Sequence, residues 1–251
     1  MSDALDLRPT LILPDWPAPE TVGAFVTTRE TGPSQNAFAA FNAAANVGDN
    51  TDHVVLCRRL LEKELHDERP LLWLNQVHGA RVHQRYSEPP PEADAAVAFG
   101  REYACVVLTA DCLPVFFCDR RGERVGLAHA GWRGLAGGVL EATVAALATP
   151  PEELYAWLGP AISNAQFEVG PEVQRAFVGV HPETTEAFEP SPYRLGHFMA
   201  DLYRLARLRL ERLGVSHISG GHFCTACEPR FYSHRRDEGR TGRMASVIWL
   251  R

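Results

Sequence analysis

The stretch from Cys105 to Gly134, CVVLTADCLPVFFCDRRGERVGLAHAGWRG, constrains the fold more than any other part of the chain. Three short apolar runs, residues 105–108, 113–118 and 125–128, are separated by Thr109-Ala110-Asp111-Cys112 and by the charged residues 119–123. Runs of this kind, closed by Asp, Gly or clustered charge, predict strands. Cys112 and His129 then stand at strand ends, where a rigid sheet can aim side chains into a shared cleft. His78, in Trp73-Leu74-Asn75-Gln76-Val77-His78-Gly79, occupies a third corner of the same type.

Around this centre the chain alternates strand and helix signals. Residues 1–20 form a Pro-rich arm leading to a strand at 22–28. Residues 30–45, rich in Gly, Ser, Asn and Ala, predict a mobile, lid-like loop. Thr51 is the predicted N-cap of a helix over 52–65, with Val54, Val55, Leu60 and Leu61 as its apolar face. Strands are predicted at 71–74, 80–85, 93–97, 154–158, 217–221 and 246–250, and helices at 135–147, 171–178 and 199–213. The arginines of the last helix read as a solvated basic face. No repeat or composition shift divides the 251 residues, so one domain is expected.

The formal charge of -6 argues against nucleic acid or an anionic membrane as partner. The N-terminus lacks the basic and apolar regions of a signal peptide, and no apolar run approaches the roughly 18 residues of a spanning helix. A cytoplasmic location follows as the expectation. Thiols stay reduced there, so a chemically interesting cysteine reads as a ligand or a nucleophile.

His78, Cys112 and His129 are a candidate His₂Cys set for zinc, with the open fourth position of a catalytic site. The same residues allow a second reading, with Cys112 as thiolate nucleophile and His129 as its base. Asp111 is a candidate general base, and Asn75 and Gln76 suit the edge of a purine, sugar or amide. Gly131-Trp132-Arg133-Gly134 opens a helix and reads as an anion site. Arg29, Arg58 and Arg133 are the candidate phosphate ligands. Cys224-Thr225-Ala226-Cys227 has no second Cys-x-x-Cys partner for a closed zinc site, and 231–237 reads as a buried Arg–Asp network.

NQVHG at 75–79, TADCLPV at 109–115, AHAGWRG at 128–134, LGPAIS at 158–163, FEVG at 167–170 and the ending from CTAC through FYSHRRD to TGRMASVIWL resemble the YfiH family. That family is also called the laccase-domain or multicopper polyphenol oxidase family. The resemblance implies an α/β fold with a mixed sheet core flanked by helices, similar to the catalytic domain of cytotoxic necrotizing factor. It implies metal binding at His78, Cys112 and His129. It also implies purine nucleoside phosphorylase activity on adenosine, inosine, guanosine or methylthioadenosine with phosphate, and adenosine deaminase activity. Members are also named peptidoglycan editing factors, which keeps a muropeptide amidase using Cys112–His129 or zinc-activated water as an alternative. A non-enzymatic metal- or partner-binding protein is a third. The expected cofactor is zinc, with copper as a substitute, in a monomer or homodimer. A copper cluster does not fit, because the 10 histidines include no His-x-His pair. The sequence departs from the family pattern at Glu30-Thr31-Gly32-Pro33, at Cys57, at CTAC and at His234.

Overall fold

The computed structural model describes residues 7–65 and 67–251. The predicted arm at 1–20 therefore lies partly outside the described residues. The chain opens with β1 (Leu11–Ile12) and β2 (Val22–Thr27), then α1 (Thr51–Lys63), β3 (Leu71–Leu72), β4 (Val82–His83) and β5 (Ala95–Ala98). The central stretch supplies β6 (Ala104–Thr109), β7 (Leu113–Asp119) and β8 (Val125–Ala130), and leads into α2 (Trp132–Ala136) and α3 (Val139–Leu147). There follow β9 (Leu154–Leu158), β10 (Glu168–Val169), α4 (Pro171–Val178), β11 (Phe188–Pro190), β12 (Phe198–Ala200), α5 (Leu202–Leu213), β13 (His217–Gly220) and β14 (Met244–Leu250).

Two mixed sheets stack face to face. One has the order β1-β2-β14-β6-β3, the other β13-β9-β7-β8-β5-β4, and β10-β12-β11 form a small third sheet. Successive side chains of a strand point to opposite faces, and β7 shows the consequence. Phe116 packs between the two sheets with Trp157, Val107 and Ile248. Its neighbours Val115 and Phe117 face Val144, Leu147 and Leu210 on the helical side. On the far side, Cys57 and Leu61 of α1 cover Phe25, Val106 and Trp249. The layers run helix, sheet, sheet, helix. Both faces of β7 are buried, which is why its sequence is a continuous apolar run instead of an alternating one.

Several expectations change. Residues 30–45 are packed in place. Phe38 and Phe41 are buried, Ser34 Oγ donates to Asp49 at 2.7 Å, and Asn42 Nδ2 donates to Asp49 at 2.9 Å. Two aromatics anchor a stretch whose small polar residues suggested mobility. The cap of α1 is Asn50, whose side chain accepts from Asp52 N and His53 N, and Val55 faces solvent while Cys57 is buried. The helix predicted over 135–147 is two helices, because Gly137 and Gly138 break it and Gly138 takes φ 90°. Met199 belongs to β12, and Asp201 caps α5 through Arg204 N. On α5, Arg209 is buried, with Nε donating to Glu141 at 2.7 Å, so that face is only partly solvated.

Candidate metal centre

The corner between β6 and β7 carries the chain from one sheet to the other, and so does the loop from β3 to β4. His78 lies in that loop and Cys112 in that corner. His129 lies within β8, opposite Pro114 of β7. The ligand atoms of the three fall within 4.8 Å of one another, so small side-chain movements bring all three onto one ion. The rings of His78 and His129 meet edge to face at 4.8 Å, and His78 Nε2 is 3.9 Å from Cys112 Sγ.

Asp94 holds the set in place, and the sequence reading passed over it. It is fully buried and immediately precedes β5. Its Oδ1 accepts His129 Nδ1 at 2.8 Å and His78 N at 2.9 Å, and its Oδ2 accepts Gly79 N at 2.7 Å and Val77 N at 3.2 Å. These contacts hold His78 at φ 61°, a left-handed backbone that a histidine rarely adopts. The bond to Nδ1 also leaves Nε2 of His129 free to bind metal. Burial raises the Asp94 pKa, but His129 and the backbone N–H groups outweigh it and leave it below the ordinary value. Signals for Asp94 were scarce: an Asp inside an Ala-rich run is its only mark.

Burial pushes the Cys112 thiol up, yet the charge and hydrogen bonds of His129, then of His78, bring it down to about 6. Burial pushes His129 down, but the Cys112 thiolate and Asp94 carry it up to about 9. Both directions favour a thiolate–imidazolium pair over the neutral pair when no metal is bound. Gly131 explains the AHAGWRG corner. A Cβ there would meet Cys112 Sγ at 2.9 Å and His78 Cδ2 at 3.0 Å, and one at Gly134 would meet Gly79 O at 2.8 Å.

The centre opens on a cavity of about 860 Å³, in the range of small-molecule sites. Trp73, Trp132 and Phe167 give it aromatic walls, and Arg58, Arg133, Arg235 and Arg243 give it positive charge. Arg235 and Arg243 were not singled out as ligands from the sequence; their charge is apparent only once the C-terminal segment folds beside β6. Arg133 stacks on Trp132 at 4.3 Å and is exposed. Arg58 stacks on Trp73 at 4.1 Å while its Nε donates to Ala43 O. Asn75 lines the cavity with an exposed side chain.

Three expected residues have protein partners for their polar groups. Arg29 is away from the cavity, with Nε on Ala39 O, its guanidinium over Tyr232 and an ion pair to Asp237 at 3.5 Å. Gln76 reaches the cavity wall, but its amide bonds both N and O of Leu108 and extends the edge of β6. Asp111 also lies on the wall. Its Oδ1 accepts Thr225 Oγ1 at 2.6 Å, and its Oδ2 accepts Ser233 Oγ and Arg235 N. It ties the C-terminal segment to the β6–β7 corner.

Residues 23–251 match the family model described as multi-copper polyphenol oxidoreductase laccase. The chain belongs to that family. It is 52% identical over 240 residues to a protein of Pseudomonas aeruginosa named purine nucleoside phosphorylase, covering 95% of this chain and 98% of that one. It is 46% identical to the Escherichia coli purine nucleoside phosphorylase YfiH, covering 96% and 98%. A crystal structure of a Neisseria meningitidis protein is similar at a TM-score of 0.91 with 49% identity, covering 96% and 98%. The mixed α/β architecture is thus the family's. Among the described residues, His78, Cys112 and His129 are the one group of three or more His, Cys, Asp or Glu side chains close enough to hold an ion.

Proposed function

We propose that this chain is a purine nucleoside phosphorylase working at a zinc ion held by His78, Cys112 and His129. The observation that carries the reading is one cavity uniting three convergent ligands, an orienting Asp94, aromatic walls and arginine side chains. Two imidazoles and one thiolate with an open side are the donor chemistry of catalytic zinc. Bound there, zinc supplies Lewis-acid polarisation and acidifies water. The relatives named purine nucleoside phosphorylase support the substrate class.

In this reading Trp73, Trp132 and Phe167 stack the base. Arg133 and Arg243, with the free end of Arg58, bind inorganic phosphate and orient one oxygen toward the sugar C1′. The C1′–N bond breaks as the C1′–O bond to phosphate forms, and the base leaves with the proton that the hydrogen phosphate gives up. Asn75 hydrogen-bonds the ribose or the base edge. Adenosine deamination belongs to the same site, with ammonia displaced from C6 by water. Incubation with inosine and phosphate tests the main reading: release of hypoxanthine and ribose 1-phosphate is expected. Arg133→Ala should raise KM for phosphate about 10–100-fold, the value of a lost charged hydrogen bond, with unchanged zinc content. Base release that is independent of phosphate would overturn the phosphorolysis.

The thiolate–imidazolium pair of Cys112 and His129 favours one second reading. A cysteine nucleophile could cleave an amide of a muropeptide precursor. Activity that survives complete removal of zinc would select it, and loss on chelation would reject it.

A further inference from the structure

Cys224 and Cys227 take no part in the chemistry above. Cys227 N and Glu228 N both donate to Cys224 O, at 3.1 and 2.9 Å, so the two cysteines bracket one tight turn. Their sulfurs are 3.0 Å apart, with Cys227 exposed and Cys224 half-buried. The pair needs to close by only about 1 Å to reach the disulfide length of about 2.05 Å. Burial raises the Cys224 thiol, but hydrogen bonds from Cys227 and Ser163 bring it below its ordinary value. The hydrogen bond to Cys224 is the main cause that pushes Cys227 up to about 11. One sulfur is thus the readier thiolate and the other its proton-bearing neighbour, as in a dithiol poised for exchange. By contrast, Cys57, Cys105 and Cys118 are buried, and burial pushes their thiols up.

The residue inside this turn leads to the metal centre. Thr225 is fully buried, and its Oγ1 donates to Asp111 Oδ1 at 2.6 Å. Its N donates to Ala161 O at 3.0 Å and its O accepts Arg236 Nη1 at 3.0 Å. Asp111 sits at φ 82° and is bonded directly to Cys112. Asp111 thus links the turn to the backbone that carries Cys112.

We propose that Cys224 and Cys227 form a thiol–disulfide exchange site for low-molecular-weight disulfides such as glutathione disulfide, and that its redox state reaches Cys112 through Thr225 and Asp111. The Cys224 thiolate attacks one sulfur of the small disulfide. A mixed disulfide forms, and one small thiolate leaves and takes a proton. Cys227 then loses its proton and attacks the Cys224 sulfur, releasing the second small thiol. The protein loses two electrons and two protons, and the small disulfide gains them as two thiols.

The test incubates the full-length protein with glutathione disulfide and maps the tryptic peptide of residues 213–230, which contains both cysteines. The expected result is a loss of two hydrogens from that peptide, reversed by dithiothreitol, with Cys227→Ser stopping at a glutathione adduct on Cys224. In metal-free protein, formation of the disulfide should shift the rate at which iodoacetamide alkylates Cys112. Thr225→Val should still form the disulfide but lose that shift. Free thiols throughout, or separate glutathione adducts on both cysteines, would overturn the exchange site. A disulfide that leaves Cys112 alkylation unchanged would overturn the link. Neither readout depends on nucleoside turnover, so a failure here is distinct from a failure of the phosphorylase reading.

Discussion

One buried carboxylate sets the geometry of the centre. Asp94 accepts four hydrogen bonds, including one from the His129 ring and one from the backbone of His78. Asp94→Asn keeps the shape but removes the charge and an acceptor. We expect zinc affinity to fall about 10–100-fold, as for other residues that orient metal ligands, measured by chelator competition on folded protein. An unchanged affinity would show that His129 needs no such orientation. Cys112 predicts a pH dependence. In metal-free protein its thiolate persists down to about pH 6, so the alkylation rate should reach half its plateau near pH 6. His129→Gln should move that midpoint up toward the ordinary thiol value. Alkylation reports this better than stability does. The Cys112 contribution is full above about pH 9 and is lost as pH falls through about 6. The His129 contribution is full below about pH 6.5 and is lost as pH rises through about 9. The two slopes oppose each other between those limits and largely cancel.

Strands and their corners decide where these residues meet. The β6–β7 corner and the β3–β4 loop each join the two sheets, and they meet where His78 Nε2 lies 3.9 Å from Cys112 Sγ. Gly131 leaves the space that the cluster occupies. Gly131→Ala should abolish zinc binding while its φ of -65° is kept, because the added methyl would overlap Cys112 Sγ and His78. Far-ultraviolet circular dichroism alongside metal analysis checks this; full zinc content in the variant would contradict it. The apolar runs of β6, β7 and β9 were legible in the sequence because both faces of each are buried. Motifs at the corners made His78, Cys112 and His129 legible too. Asp94, Arg235 and Arg243 were not, since their roles depend on contacts between distant segments. The Arg235–Asp111 contact, for example, spans 124 positions. The Gly137-Gly138 break was legible in composition, but the apolar period running across it hid the interruption. Gln76 read as a substrate contact and Asp111 as a general base because spacing shows which residues stand at a corner and not which protein groups they satisfy.

At the scale of the whole molecule, a metal held at the proposed site would join separate layers. His78 and Cys112 lie in segments crossing between the sheets, and His129 lies in the second sheet. A ligand that binds only the folded state stabilises it by mass action, by about 2.7 kcal/mol at a concentration 100 times its Kd. Zinc at that excess should therefore raise Tm of metal-free wild type by several degrees, and leave His78→Ala almost unmoved. The most direct test of the central claim measures zinc stoichiometry and phosphate-dependent base release together, in wild type, His78→Ala and His129→Ala. Wild type should hold near-stoichiometric zinc and form ribose 1-phosphate, with both lost in each variant. Base release that persists in metal-free variants would contradict that claim.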